Sequence, residues 1–288
     1  MAKLRRNHGP RGGSASASTL IRIVLVAVIL LTLLWFLKQA AVGAGPQVET
    51  DSGAGYAGSD YYQPTGARGP VIDYGGFSLA YNEDWEQADW VAYILTREHL
   101  QRRWTVRRDN FREDDRIRSG TASDGDYRGS GYDRGHLAPF ADFAWNAQLA
   151  DETFNLSNVS PQDPAFNRGI WRELEELARD WAIRDERLYV VTGPVTTGDP
   201  QFYIGRDNRV AVPKRYYKVL LDLEPPRQKG IGFLIPNEAG DRPLADYAVS
   251  IDAVEQATGL DFFAELLPET LEGELEGQAD YRAWVRGR

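Results

Sequence analysis

The chain of 288 residues contains no cysteine, one methionine and only three histidines, and its formal net charge is −9. Without cysteine there is no disulfide framework, no thiolate zinc or iron–sulfur site and no cysteine nucleophile. The negative charge argues against a protein that holds nucleic acid by a high overall positive charge, although a local basic cleft is compatible with it. Hydrophobic residues make up 42% and charged residues 26% of the chain, which is a globular composition.

Long apolar runs are also scarce. The one present, Ile23–Leu37, is bounded by Arg22 and Lys38, and snorkelling of these two basic side chains makes it long enough to cross a bilayer. Basic residues precede the run and acidic residues follow it, so the positive-inside rule predicts a cytoplasmic N-terminus and an exported remainder. We therefore expect a transmembrane anchor at 20–42. A cleaved signal peptide ending near Val42–Ala44 is the alternative; we favour the anchor because the run is long for a signal peptide and ends in bulky residues.

Composition divides the rest of the chain into three parts. Residues 1–19 are polar, basic and rich in glycine and serine, which predicts a disordered cytoplasmic tail. Residues 43–70 combine glycine, proline and small residues without any period, which is typical of a flexible linker. No internal repeat is visible in the remainder. Residues 71–288 are therefore expected to form one catalytic domain.

Strand-like segments dominate that domain. Stretches rich in β-branched and aromatic residues predict strands at Phe77–Tyr81, Trp90–Leu95, Leu188–Thr192, Tyr216–Leu223 and Ile231–Ile235. Helices are expected from about Phe166 to Ile183 and from Ile251 to Ala257. Because strands and helices do not alternate strictly, the pattern favours an α+β fold with a mostly antiparallel sheet.

The first candidate for chemistry is His136, at the end of the motif Asp133–His136 (DRGH). A histidine can accept a proton near neutral pH, which suits a general base. Taken alone, however, a histidine beside an aspartate and an arginine is more often a hydrogen-bonded structural residue.

A second candidate is a polar line on the first predicted helix. Asn167, Trp171, Glu175 and Arg179 recur every four residues, so they are expected to share one helical face. A plainer interpretation makes Asn167 an N-terminal cap and the Glu175–Arg179 pair an ordinary surface ion pair. That interpretation leaves the large aromatic Trp171 in the middle of a polar stripe unexplained, so we expect the line to be partly buried.

Together these residue types match the requirements of a nuclease. Phosphodiester hydrolysis needs a base for water, a divalent cation and cationic groups for the charge that develops in the transition state. An asparagine oxygen, with water in the remaining positions, suits magnesium because this ion is often held by few protein ligands.

These residues resemble the DNA/RNA non-specific endonuclease family, which includes endonuclease G and the secreted sugar-non-specific nucleases. The motifs that carry the resemblance follow the family's order: Asp133–His136, Leu156–Gln162 (LSNVSPQ), Asn167, Trp171, Leu174–Glu175, Val191–Pro194 (VTGP) and Thr258–Leu260 (TGL). The resemblance spans about Trp85 to Leu267 and is closest to endonuclease G around Phe111–His136. Linked motifs in a fixed order are far more specific than one short string. Pro139–Asp142 departs from endonuclease G, where alanines stand, without loss of a functional position.

The resemblance implies both a fold and a set of roles. The fold would be the ββα-metal fold, in agreement with the α+β interpretation. His136 would be the general base, Asn167 the sole direct protein ligand of Mg²⁺, with Mn²⁺ as an alternative ion, and Glu175 the residue that holds metal-bound water. Arg134 and Arg179 would stabilise or position phosphate.

Two further positions follow from the same resemblance. Asn158 would support the site. An arginine upstream of the histidine motif also belongs to the family pattern, and both Arg107 and Arg108 lie near the expected place. Spacing does not choose between them, and we lean to Arg108.

The charge distribution is compatible with a nucleic-acid substrate. Between Arg97 and Arg118 arginines outnumber acidic residues, whereas the chain from Glu238 onward is strongly acidic. A basic groove can therefore coexist with the negative total, although a solvated charged surface explains most of these arginines equally well.

The sequence thus predicts a magnesium-dependent endonuclease that hydrolyses DNA and RNA without sequence preference. It would be membrane-anchored through residues 20–42, with the catalytic domain in the periplasm or outside the cell. The alternative is a catalytically weak nucleic-acid-binding or uptake protein of the cell envelope. The intact set of His136, Asn167 and Glu175 argues against that alternative. A homodimer is left open.

Overall fold

The computed structural model describes residues 61–102 and 105–286. The strands are β1 (Val71–Asp73), β2 (Phe77–Asn82), β3 (Gln87–Thr96), β4 (Asp133–His136), β5 (Val159–Gln162), β6 (Arg187–Pro194), β7 (Phe202–Ile204), β8 (Val210–Val212), β9 (Arg215–Asp222), β10 (Lys229–Pro236) and β11 (Ala248–Val249). The helices are α1 (Arg97–Gln101), α2 (Asp124–Tyr127), α3 (Phe140–Phe143), α4 (Ala147–Glu152), α5 (Pro164–Phe166), a π-helical turn (Asn167–Trp171), α6 (Arg172–Asp185), α7 (Ile251–Thr258), α8 (Glu269–Glu276) and α9 (Tyr281–Val285). Short 3₁₀ turns lie at Leu156–Asn158 and Leu244–Tyr247.

Within the described residues, the main sheet has seven antiparallel strands in the order β1-β2-β3-β6-β9-β10-β11. At its centre, Tyr93 of β3 lies opposite Val190 of β6, and Val190 lies opposite Leu220 of β9. The five strands expected from the sequence are all in this sheet. The mixed helix and strand content and the antiparallel sheet confirm the predicted fold class.

Both faces of the sheet are covered, which explains why its central strands are almost continuously apolar. On one face, Leu174 and Trp181 of α6 pack in the same buried cluster as Val190. On the other face, α7 contributes Val254 and α8 contributes Leu275 to the buried cluster that contains Val191. The helix that carries the predicted polar line and the helix pair α7–α8 therefore lie on opposite faces of the sheet.

A separate antiparallel pair carries the DRGH motif. β4 pairs with β5, so that Asp133 lies opposite Gln162 and His136 opposite Val159. Gly135 is required at this close approach, since a Cβ there would lie 2.1 Å from the Gln162 side chain. The chain then runs directly into α5, the π-helical turn and α6. This strand–strand–helix unit brings the two candidate motifs together.

The helix of the polar line is not the regular α-helix that its spacing suggested. Asp163 caps it by accepting hydrogen bonds from the backbone of Ala165 and Phe166, so Asn167 is not the N-terminal cap. A π-helical turn follows, in which Gly169 has the non-helical angles φ −105° and ψ −113°. Glycine tolerates such a conformation because it has no Cβ, and π-helical turns recur at functional sites. Regular spacing therefore holds only from Arg172 onward.

The predicted linker extends too far. Its last ten residues, 61–70, are packed against the domain: Tyr62 is buried, and the backbone N–H of Thr65 donates to the carbonyl of Asp261 at 2.9 Å. The fold therefore includes these residues, and the expected boundary at Val71 is wrong. The predicted tail at 1–19, the anchor at 20–42 and the linker at 43–60 lie outside the described residues. In the described ranges, no helix is long and apolar enough to cross a membrane.

Candidate active site

An open cleft of about 400 Å³ lies beside the strand–strand–helix unit. It is lined by side chains from three parts of the chain, among them Arg107, Phe111, Tyr132, Arg134 and Asn167. Segments that are distant in sequence thus converge on one polar surface. The DRGH motif and the start of the polar line, predicted separately, meet here.

His136 ends β4 and is not itself a lining residue of the cleft, but it contacts the lining residue Phe111. Its ring is held between Phe111 and Phe154, with centroid distances of 5.1 and 4.9 Å, and the residue is only 9% exposed. Among the described residues, nothing hydrogen-bonds to its buried Nε2. A buried polar atom without a partner costs free energy, so such an atom in a native site needs a functional explanation.

The surroundings of His136 keep its imidazole neutral. Burial, followed by the positive charge of Arg107, lowers the pKa of His136 to about 3, and Arg134 acts in the same direction while Asp109 opposes it. At neutral pH the ring therefore carries a free lone pair. A neutral imidazole is the form that accepts a proton from water.

Asn167 lines the cleft and is held in one orientation. Its Nδ2 donates a hydrogen bond to Asp133 Oδ2 at 2.9 Å. Arg168 binds the same carboxylate through two hydrogen bonds of 2.8 and 2.6 Å. Within the described chain, no protein group donates to Asn167 Oδ1, so this oxygen is available to a hard cation. A neutral oxygen ligand at the edge of an open, water-accessible cleft fits magnesium.

Three arginines line the cleft: Arg107, Arg128 and Arg134. Arg128 pairs with Asp124 at 3.1 Å. Arg134 stacks over Phe111 with its Cζ 4.2 Å from the ring centre and forms an ion pair with Asp124. Arg107 lies with its Cζ 5.2 Å from the ring centre of Phe154, next to the His136 ring.

The structure places Arg107 and Arg108 differently relative to the cleft. Both side chains are exposed, but Arg107 lines the cleft and its charge acts on His136, whereas Arg108 is not part of the cleft lining. This placement favours Arg107, while the preference for Arg108 rested on the sequence alone. Neighbouring residues of an extended segment point in opposite directions, and sequence spacing alone cannot tell which one faces the site.

Glu175 is on α6, is half-buried and, like Arg179, is not part of the cleft lining; it lies among other charged groups. Arg179 donates from Nη1 to Asp142 Oδ1 at 2.9 Å, and this pair is 12% and 4% exposed. Tyr93 donates to the other oxygen of Asp142 at 2.8 Å. Burial raises the pKa of Glu175 to about 7, against the opposite effect of Lys218 and Arg179.

The network changes the expected role of Arg179. Its charge is already matched by Asp142, and Arg179 does not belong to the cleft lining. The structure therefore does not bring Arg179 to the surface where a phosphate would lie. Nor is the simple surface pair of Glu175 and Arg179 observed, because Arg179 bonds to Asp142 instead.

Lys218 is a member of this network that the sequence reasoning missed. It is 1% exposed, its Nζ lies 4.8 Å from the centre of the Trp171 ring, and the described residues offer that nitrogen no hydrogen-bond partner. Burial lowers its pKa, while Glu175 and Asp142 counteract that effect. Lys218 lies between apolar and aromatic residues in the middle of β9. Such a position in a buried strand could have identified it from the sequence as a candidate functional residue.

Asn158 is not part of the cleft lining and bonds to the backbone next to His136. It is fully buried, its Oδ1 accepts from the backbone N–H of Ala138 at 2.9 Å, and its Nδ2 donates to the carbonyls of Ala138 and Thr153. Its own carbonyl accepts from Leu137, the residue after His136. Asn158 therefore fixes the backbone of the segment that follows the histidine.

The basic segment is less basic than its composition implies. Arg97, Arg102, Arg112 and Arg116 form ion pairs with nearby glutamates or aspartates. In the cleft itself, Arg107 pairs with Asp109, and Arg134 with Asp124. The positive potential of the groove is therefore reduced by neighbouring carboxylates.

Comparison with known proteins agrees with this geometry. The sequence profile described as "DNA/RNA non-specific endonuclease" matches residues 59–269. Human mitochondrial endonuclease G is 37% identical over 204 residues, which cover 66% of this chain and 68% of the human protein. A nuclease of Syncephalastrum racemosum is 38% identical over 225 residues, covering 70% of each chain.

A solved structure is similar as well. A crystal structure of EndoG in complex with EndoGI, which addresses the mechanism of EndoG inhibition, matches with a TM-score of 0.64 and 29% identity. The match covers 70% of this chain and 88% of the other. The profile match and the two relatives show that this chain belongs to the DNA/RNA non-specific endonuclease family and is an endonuclease, a hydrolase.

Proposed function

We propose that the protein is a magnesium-dependent endonuclease that cuts DNA and RNA without sequence preference. The observation that carries the proposal is the neutral, buried His136, whose Nε2 has no partner among the described residues. This imidazole contacts Phe111, which lines the same cleft as Asn167 and Arg134.

His136 is the general base in this proposal. The neutral ring accepts a proton from the attacking water as the water oxygen bonds to phosphorus and the bond from phosphorus to the leaving oxygen breaks. The tight contact with Phe111 and Phe154 fixes the ring, which reduces the entropy lost on reaching the reactive geometry. Asn158 holds the chain that follows.

Asn167 is the proposed protein ligand of magnesium, through Oδ1. The bound ion would neutralise charge on the phosphate and stabilise the leaving oxygen. Glu175 orients water around the site through its carboxylate, and Lys218 and Arg179 favour the ionised form of that carboxylate. The family is typically metal-dependent. Magnesium keeps several of its waters and is often held by few protein ligands, so one asparagine oxygen with water-mediated neighbours can bind it.

Arg134 and Arg107 are the proposed phosphate contacts. Both lie on the cleft, and both guanidinium groups are backed by aromatic rings that hold them in place. Each is paired with an aspartate that a phosphate oxygen can replace or supplement. Arg179 acts indirectly, by fixing Asp142 and the charge of Glu175.

Exposed aromatic side chains near the cleft support cleavage without sequence preference. Phe202 and Tyr203 of β7 are 43% and 42% exposed. Phe202 contacts the cleft residue Tyr132, with ring centres 5.5 Å apart, and Arg209 lies 4.2 Å from the Tyr203 ring. Exposed rings beside a phosphate site can stack on any base, and such stacking is tolerant of sequence.

We also propose that the catalytic domain is exported and anchored by residues 20–42, with the N-terminus in the cytoplasm. The support is the apolar run Ile23–Leu37 and the charge asymmetry around it. Export would separate a non-specific nuclease from the nucleic acid of its own cell.

The test of the activity is incubation of the purified protein with supercoiled plasmid and with RNA, with magnesium or with EDTA. A truncated version must begin before residue 61, since residues 61–70 are packed into the domain. We expect magnesium-dependent cleavage of both substrates and none with EDTA. Binding without cleavage would instead favour the weakly catalytic uptake protein.

A further inference from the structure

A second group of acidic side chains converges far from the cleft, on the opposite face of the main sheet. Asp252 and Glu255 lie on α7, and Glu276 is the last residue of α8. One carboxylate oxygen of each lies within 4.8 Å of the others. Three like charges at this separation repel one another unless something neutralises them.

Glu276 makes the group unusual. The residue is only 3% exposed, and in the described chain no group hydrogen-bonds to its buried Oε1. Surface acidic clusters are common and are stabilised by water, but a carboxylate oxygen that is removed from both water and hydrogen-bond donors needs another partner.

No basic side chain supplies that partner. Among residues 61–102 and 105–286, no lysine, arginine or histidine forms an ion pair with Asp252, Glu255 or Glu276. Other negative charges are close instead. Burial, followed by the negative charges of Glu255, Glu272, Asp252 and Asp261, raises the pKa of Glu276 to about 9.

We propose that Asp252, Glu255 and Glu276 form a structural binding site for a divalent cation, with calcium as the preferred ion. Calcium accepts six to eight oxygen ligands at about 2.3–2.6 Å in irregular geometry, so ligand oxygens up to about 4.8 Å apart can share one ion. Magnesium requires near-octahedral geometry at shorter distances, which suits this spread of oxygens less well.

The position indicates what the ion would do. The site joins α7 to the end of α8, and both helices cover the sheet through Ile251, Val254 and Leu275. The family profile ends at residue 269, so Glu276 lies beyond the part of the chain that matches it. The ion would therefore stabilise the attachment of the C-terminal helices, independently of nuclease chemistry at His136.

The experiment is thermal unfolding and calorimetric titration with calcium chloride at pH 7. The full-length chain carries Asn167→Ala, which removes the proposed catalytic ligand and so isolates the second site. Calcium at about a hundredfold excess over its dissociation constant should raise Tm by roughly 5–10 °C. Glu276→Gln in the same background should abolish both the shift and the heat of binding, whereas Glu274→Gln, an exposed neighbour on α8, should retain them.

A protonated Glu276 without an ion is the competing explanation, and the same data distinguish it. In that case calcium gives no heat and no shift, or the Glu276→Gln protein responds like its parent, and either result overturns the proposal. If Glu276→Gln fails to fold, Asp252→Asn replaces it, because Asp252 is exposed and tolerates substitution. When Glu276→Gln is introduced alone, with Asn167 intact, plasmid cleavage should stay within about twofold of the wild-type rate. This result separates the calcium site from the proposed function.

Discussion

Asn167 donates a hydrogen bond from Nδ2 to Oδ2 of Asp133 at 2.9 Å. An ionised carboxylate only accepts hydrogen bonds, so the amide nitrogen must face Asp133 and Oδ1 is left for another partner. Asp133 begins the strand that ends at His136. One hydrogen bond thus links the proposed metal ligand to the strand that carries the proposed base.

The two adjacent arginines provide a matched pair of variants. Arg107→Ala should lower kcat/KM by about ten- to a hundredfold, because it removes a positive charge next to His136 and the phosphate. Arg108→Ala removes the same charge from an exposed position outside the cleft lining and should cost less than about threefold. Steady-state cleavage of an oligonucleotide measures both. A larger loss for Arg108 than for Arg107 would contradict the assignment.

Glu175 and Glu176 form a second pair on the same helix. Glu175→Gln keeps the size of the side chain but removes the charge that orients metal-bound water. The rate and the apparent magnesium affinity should therefore each fall about ten- to a hundredfold. Glu176 is exposed and pairs with Arg172 at 3.7 Å, so Glu176→Gln should behave like wild type in the same magnesium titration. Equal effects of the two variants would exclude a specific role for Glu175.

Lys218 is expected to set the pH dependence of the rate. Its positive charge lowers the pKa of Glu175, which burial raises to about 7. Activity requires ionised Glu175, so the rate should fall as pH drops through about 7. The low pKa of His136 places protonation of the imidazole well below that range.

Lys218→Met removes that charge from the buried network and so raises the pKa of Glu175 further. The acidic limb of the pH–rate profile, measured at subsaturating magnesium, should then move to higher pH. A profile that stays in place, in a variant whose circular dichroism matches wild type, would show that Lys218 acts only as packing against Trp171.

The location of the domain is tested on intact cells. If residues 20–42 are an uncleaved anchor with the N-terminus inside, external protease should digest the nuclease domain in spheroplasts, and the undigested protein should sediment with membranes. A soluble mature protein that begins after Ala44 would identify a signal peptide instead. Recovery of the domain in the cytosol would contradict export altogether.

The strands of the main sheet and the two motifs could be predicted from the sequence. The local structure and the contacts around the motifs could not. The apolar strands at Trp90–Leu95 and Leu188–Thr192 can be read directly, because burial on both faces leaves a continuous apolar signature. The π-helical turn was missed, since Gly169 distorts a pattern that otherwise fits an α-helix. Residues 61–70 were misread as linker, because glycine-rich composition does not exclude packing.

The surroundings of the site depend on long-range contacts. The family resemblance implies a phosphate contact for Arg179, but its partner Asp142 comes from α3. Lys218 comes from a strand far along the chain, and only the folded structure brings it next to Glu175. Contacts between residues that are this far apart in the sequence cannot be predicted from one sequence alone.

The most direct test of the account is the single-turnover rate of plasmid cleavage by His136→Ala, with His99→Ala as its control. His99 is in α1, where its ring stacks on Trp145 with ring centres 3.7 Å apart, whereas His136 lies between Phe111 and Phe154. The control therefore removes an imidazole in a different environment. We expect His136→Ala to lose about two to four orders of magnitude in rate while it still binds DNA, and His99→Ala to cleave nearly normally. Cleavage by His136→Ala within about threefold of wild type would show that this histidine is not the base.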